Sequence, residues 1–269
     1  MTQGEVRSCN PEAPTGENGR LSPTLVGRAH EEIDQRLDDF WQNEGSSLYL
    51  GSRHAPMRRE LVKDRERAFA TQLIGTVLEI ADAHSGNIAL MFDVDETIVA
   101  KRALAEEKER FTRPSLDIVI GILEEALGER LEIGVLSTRS QAALDAEMQD
   151  PTYLKDIIGR VNPRYVISSR DGAMALSFKD TLVYGHGQLK KDEREAIQGF
   201  VDPNVIETEF RGSFDSHGIK PFVLKDLVDS HPDTYFVAVD DHEWVKEINP
   251  DYSRVKGVHL DGEESSFIL

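Results

Sequence analysis

Five consecutive apolar residues, Ile88 to Phe92, stand between Gly86-Asn87 and the acids Asp93, Asp95 and Glu96. A run of that length, bounded by glycine on one side and charge on the other, predicts a strand buried on both faces, as in a parallel sheet covered by helices. Similar runs recur in "LEIGVLS" (131–137), "RYVISS" (164–169) and "TYFVAVDD" (234–241). Between them lie helical patterns: "SLDIVIGILEEALGE", capped by Ser115; "SQAALDAEMQ" continuing into "PTYLKDIIGRV"; and "KPFVLKDLVDSH". Alternating strands and helices predict an α/β fold with a mostly parallel sheet and right-handed crossovers.

Ahead of this region the pattern is helical only. In "SPTLVGRAHEEIDQRLDDFW", Ser22 is placed to cap, Pro23 fits a first turn, and Leu25, Ile33, Leu37 and Trp41 form an apolar stripe. "GSSLYLGSRHAP" breaks that helix, and a longer one is expected from about Met57 to His84. Residues 21–85 therefore read as a helical extension packed on the following domain. The charged runs of this extension, including "MRRELVKDRER" in the second helix, read as solvated faces, with a partner-binding surface as the alternative. The Gly-, Pro-, Asn- and Glu-rich residues 1–20 read as a disordered tail.

Composition narrows the classes. The chain has 269 residues, 39% of them hydrophobic, enough for a sizeable core. No run approaches the length that spans a bilayer, the start lacks the basic and apolar regions of a signal peptide, and Cys9 is the one cysteine. A cytoplasmic location is the default expectation. With 31 basic against 49 acidic residues the formal charge is −18, which disfavours nucleic acid and anionic membrane as partners. A small anionic substrate then needs cations placed locally.

Three predicted strands end in reactive groups: Asp93 and Asp95 after the first, Ser137 with Thr138 and Arg139 after the second, Asp240 and Asp241 after the last. Parallel strands bring them to one sheet edge, the edge at which open α/β sheets bind ligands. Lys220, just before the first turn of its helix, projects toward the same edge. This set suits metal-assisted phosphoryl transfer: a carboxylate nucleophile, a second carboxyl for proton transfer, oxygen ligands for magnesium, and a hydroxyl and an ammonium for the phosphoryl oxygens. The bland alternatives are ordinary strand-end acids, Ser137 as a helix cap, a surface Lys220 with Lys225 as the competing lysine, and Arg139 in a structural ion pair. His186, His217 and His242 lack metal-ligand spacing with a second histidine and read as surface or hydrogen-bonding residues.

"DVDET", "GVLSTRS", Lys220 in "HGIKPFVLKDLV" and "YFVAVDD" resemble, in order, the four motifs of the haloacid dehalogenase-like superfamily of phosphatases, over about residues 86–260. The resemblance implies a Rossmann-like three-layer core (86–170 and 213–269). It makes Asp93 the nucleophile and Asp95 the general acid/base. Thr97 secures the turn between them, Ser137 binds the phosphoryl group together with Thr138 and Arg139, and Lys220 bridges nucleophile and phosphate. Magnesium is the implied cofactor, held by Asp93, Asp95, Asp240 and Asp241, with Asp241 favoured over Asp240 as the more direct ligand. Val245 and Lys246 stand where the family often has another acid, which makes this the paired-aspartate variant. About 40 residues separate Thr97 from Ser137, too few for a large helical cap, whereas the surplus at 171–212 resembles a shortened α/β cap of the sugar-phosphatase-like branch. The expected activity is magnesium-dependent phosphomonoester hydrolysis of a small phosphorylated metabolite through an aspartyl-phosphate. The rivals are a phosphotransferase or phosphomutase using that intermediate, and a non-catalytic regulatory protein of the same fold.

Overall fold

The computed structural model describes residues 18–43, 55–94, 97–101, 110–113, 115–137, 165–168, 174–177, 199–201 and 219–260. Two long helices, α1 (Asn18–Asn43) and α2 (Ala55–Ala83), precede strand β1 (Asn87–Phe92). A short hairpin, β2 (Val99–Lys101) and β3 (Arg110–Thr112), leads to α3 (Leu116–Leu127) and β4 (Leu131–Ser137). Then come β5 (Tyr165–Ser168), β6 (Met174–Ser177), a helix α4 (Ile219–Ser230), β7 (Thr234–Asp240) and β8 (Val255–His259).

The main sheet has the order β6-β5-β4-β1-β7-β8, parallel throughout except for β6, which pairs antiparallel with β5. This is an α/β fold, as the alternating pattern predicts. The chain runs from β1 outward through β4 to β5, then returns to the other side of β1 for β7 and β8. The direction of winding therefore reverses between β1 and β7, and in open α/β sheets the crevice at such a reversal is the ligand site.

Alternation along β1 divides the core into two layers. Ile88, Leu90 and Phe92 pack with α1, α2 and α3, whereas Ala89 and Met91 face the α4 side with Val223, Leu224 and Leu227. The helical extension thus belongs to the core itself: Phe69, Leu73, Ile74 and Val77 of α2 are buried in the same cluster as β1. The stripe of α1 is as expected, with Ile33, Leu37 and Trp41 buried and Leu25 partly so.

Several local expectations need correction. Helix α1 starts at Asn18, ahead of the predicted Ser22 cap, so Pro23 lies inside its second turn. Proline there removes only one backbone bond near the helix start, which the helix tolerates at an exposed position. Of the predicted tail, residues 18–20 are helical and residues 1–17 lie outside the described residues. The charged half of α2 is not simply solvated, because Lys63 and Glu66 are buried. Ser115 occupies the cap position of α3 but makes no capping bond; its hydroxyl instead meets Glu66. Of the stretch read as a cap, β6 adds to the edge of the main sheet and Phe200 and Val201 join the α4-side core. The rest of 171–212 and the predicted helices at 140–161 fall outside the described residues.

Strand β8 and the β2–β3 hairpin were not expected. In β8 a single glycine explains the packing: a Cβ on Gly257 would stand 1.8 Å from the Val245 carbonyl oxygen. The 3₁₀ turn Glu243–Val245 crosses the strand at that point, and only glycine leaves room for its backbone. Gly257→Ala is therefore expected to lower the melting temperature by about 3 to 10 °C, as overpacking against backbone costs about 1–3 kcal/mol. A melting temperature within about 1 °C of wild type would show that the turn can move aside.

Candidate functional site

The register of β1 against β7 pairs Phe92 with Val239, so the next residues, Asp93 and Asp240, leave the sheet side by side at the winding reversal. The Asp93 amide donates to the Val239 carbonyl at 2.9 Å, carrying the sheet pairing one residue beyond β1. On the other flank Phe92 pairs with Val135, which places Ser137 at the end of β4 along the same edge.

Lys220 joins the two acids. Helix α4 begins at Ile219, so Lys220 lies within its first turn and not before it. Its Nζ donates to Asp93 Oδ1 at 2.7 Å and to Asp240 Oδ2 at 2.8 Å. All three are buried: Lys220 is 1% exposed, Asp93 6% and Asp240 2%. The competing Lys225 is paired instead with Asp229, one turn further along α4.

Asp240 is held on several sides. Its Oδ1 accepts from the His242 amide at 2.9 Å, and its Oδ2 also accepts from the Trp244 indole Nε1 at 3.1 Å. Trp244 comes from the turn that Gly257 admits, so β8 acts on the site through that turn. Asp241 and His242, the next two residues, are half-buried. A carboxylate oxygen from each of Asp240 and Asp241 and a ring nitrogen of His242 lie within 4.8 Å of one another.

One buried ammonium serves two buried carboxylates, and their proton affinities diverge accordingly. Burial pushes the Asp93 carboxyl up to about 7, and the Asp240 charge adds to this, against the opposing pull of Lys220 and of the Val94 amide. Burial also works to raise Asp240, but the Lys220 charge and hydrogen bond and the His242 amide outweigh it and hold Asp240 below the usual carboxylate range. For Lys220 burial acts downward, and the two carboxylates more than reverse it, so the ammonium stays charged. With both acids ionised this buried trio carries one excess negative charge. The residues that could hold a metal ion are Asp240 and Asp241 with His242, whose ligand atoms lie within 4.8 Å of one another.

Thr97, four residues after Asp93, is fully buried, and its hydroxyl oxygen has no hydrogen-bond partner among the described residues. Its carbonyl accepts from Arg113 Nε at 2.9 Å. Ser137 is buried at the end of β4. Of the predicted site residues, then, Asp93, Thr97, Ser137, Lys220, Asp240 and Asp241 are described, and Lys220 directly bridges Asp93 and Asp240. Asp95, Thr138 and Arg139, like His186 and His217, lie outside the described residues.

Two contributors escaped sequence reasoning. Trp244 follows Asp240 by four residues and carries an indole N–H that usually finds a partner when buried, which was a usable signal. Arg113 had none, since its partners come from residues up to 47 positions away.

Comparison with protein-family models, curated proteins and solved structures returns no match. The functional reading therefore rests on the chain's own residues. Among the described residues no helix is long and apolar enough to cross a membrane.

Proposed function

We propose that this protein is a magnesium-dependent phosphomonoester hydrolase of the haloacid dehalogenase-like type, acting on a small phosphorylated metabolite. The observation that carries this reading is the Lys220 ammonium, buried and bonded at once to Asp93 and Asp240 where the winding of the sheet reverses. Burying one cation with two anions is unfavourable unless a further positive charge completes the set, and chemistry on an anionic group supplies a reason to keep it.

In the proposed reaction an Asp93 carboxylate oxygen attacks phosphorus in line. The new O–P bond forms as the ester oxygen leaves with its electron pair, and the leaving oxygen takes a proton from Asp95. Asp95 then accepts a proton from water, whose oxygen attacks the phosphoryl group, so that inorganic phosphate is released and the Asp93 carboxylate is restored. Lys220 offsets negative charge on both the nucleophile and the transferring group, and Ser137 offers a hydroxyl to the phosphoryl oxygens. Asp93, Asp240 and Asp241, with Asp95, would hold the magnesium ion, which when bound neutralises the repulsion between carboxylate and phosphate.

The deciding experiment is hydrolysis of an aryl phosphate by the purified chain with magnesium, with chelator, and with magnesium restored. Turnover that stops with chelator and returns with the metal is expected. Turnover indifferent to chelator would remove magnesium from the mechanism, and a folded chain inert toward a broad panel of phosphate esters would remove the hydrolase reading.

A further inference from the structure

We propose that Glu66, on α2, is a positioning residue for the candidate site: through Arg113 it fixes the Thr97–Ile98 backbone, four and five residues beyond Asp93. What is being positioned rests on the hydrolase reading; the mechanical link does not.

The link is continuous and buried. Glu66 is 2% exposed and Arg113 4%. Glu66 Oε1 accepts from Arg113 Nη1 at 2.7 Å, and Oε2 accepts from the buried Ser115 hydroxyl. The other side of the Arg113 guanidinium donates from Nε to the Thr97 carbonyl at 2.9 Å, while the Arg113 amide donates to the Ile98 carbonyl at 2.9 Å. Phe69, almost one turn along α2, lies under the guanidinium with its ring centroid 5.4 Å from Cζ. Arg113 directly follows β3, so the same contacts close the hairpin against the start of β2.

An ion pair within an apolar cluster is not needed for stability, since well-packed apolar side chains do as well or better. What an apolar pair cannot do is address a carboxylate on one side and a main-chain carbonyl on the other. The planar, rigid fork of arginine does this, and lysine does not. Thr97 lies only four residues beyond Asp93, so holding its carbonyl constrains where the chain can be one short segment after the candidate nucleophile. The helical extension thereby gains a task near the site: α2 is the wall against which Thr97 and Ile98 are held.

The test uses the full chain carrying Glu66→Gln or Arg113→Lys. Amide hydrogen exchange is followed in peptides covering 94–101 and, for comparison, 234–240, together with kcat and KM on an aryl phosphate. Glu66→Gln is expected to speed exchange in 94–101 by about tenfold or more, leave 234–240 unchanged, and lower kcat about tenfold with KM within about twofold. Arg113→Lys keeps a cation for Glu66 but has no Nε–H for Thr97, and should reproduce the faster local exchange and the fall in kcat.

Faster exchange in both regions alike would reduce Glu66 to a general stabiliser and overturn the proposal, as would wild-type exchange and kcat in Arg113→Lys. If Glu66→Gln fails to fold, Arg113→Lys decides alone. If the wild-type chain turns over no phosphate ester, the hydrolase reading fails while the exchange comparison still decides the positioning.

Discussion

Asp93→Asn is expected to lower aryl phosphate turnover by about four orders of magnitude or more, because an amide cannot form the phosphoryl ester that splits the reaction into two steps. The same substitution is expected to stabilise the protein in chelator at pH 8. The sign follows from burial, which holds the Asp93 carboxyl at about 7 in the folded chain, above its ordinary value near 3.8. Between those two values the folded state binds more protons than the unfolded one, so stability falls as pH rises through this window. Above it, the full penalty of an ionised buried carboxylate is present, on the order of a few kcal/mol. Asparagine removes that penalty while Lys220 keeps Asp240 as its partner. The gain in melting temperature should therefore be largest at pH 8 and shrink toward pH 4, and added magnesium should raise wild type more than the variant. Calorimetry at the two pH values checks this. A melting temperature lower than wild type at pH 8 would mean that the Asp93–Lys220 bond outweighs the burial penalty.

Lys220→Met should have the opposite effect on stability and a comparable effect on turnover. Methionine fills a similar apolar volume but leaves Asp93 and Asp240 buried against each other, with neither ammonium nor solvent to offset them. Removing one member of a buried charge set typically destabilises by about 3–5 kcal/mol. The loss should be greatest in chelator at alkaline pH, where both acids are pressed to ionise. It should ease at lower pH as Asp93 takes a proton, and ease again with magnesium. Urea unfolding at pH 8 and pH 5.5, with and without the metal, separates these contributions. A variant as stable as wild type in chelator at pH 8 would show that the ammonium is not needed to hold the two acids together. Full turnover in that variant would remove Lys220 from the phosphoryl-transfer machinery.

Much of the architecture was legible along the chain. The runs 88–92, 131–137 and 234–240 are apolar on both faces and end in polar groups, and a strand covered on two sides requires that pattern. The strands β1, β4, β5 and β7 and the helices α2, α3 and α4 accordingly stand close to where the sequence placed them. Strand β8, by contrast, spans only five residues and includes Lys256 and Gly257, and the β2–β3 strands have three residues each. In β8 a lysine and a glycine interrupt the apolar run, and in β2 and β3 lysine and arginine do the same within three residues, so no apolar run of the kind that marks 88–92 is left to read.

At the candidate site the sequence by itself determined which groups end the strands, because a parallel sheet brings consecutive strand ends to one edge. It identified Asp93, Ser137, Asp240 and Asp241 for that reason, and Lys220 from its place at the start of a helix facing the same edge. The tertiary structure alone decided that one ammonium is shared between two carboxylates, that Trp244 and the His242 amide hold the second of them, and that Asp93 is the acid whose ionisation is opposed. The same holds for Glu66, which local pattern assigns to a charged, solvated helix face and which the fold buries against Arg113. Hydrophobic periodicity reports which way a residue's own element faces. The desolvation of a charge, and the partner that offsets it, depend on what other segments bring to the same point, and no window along the chain contains both.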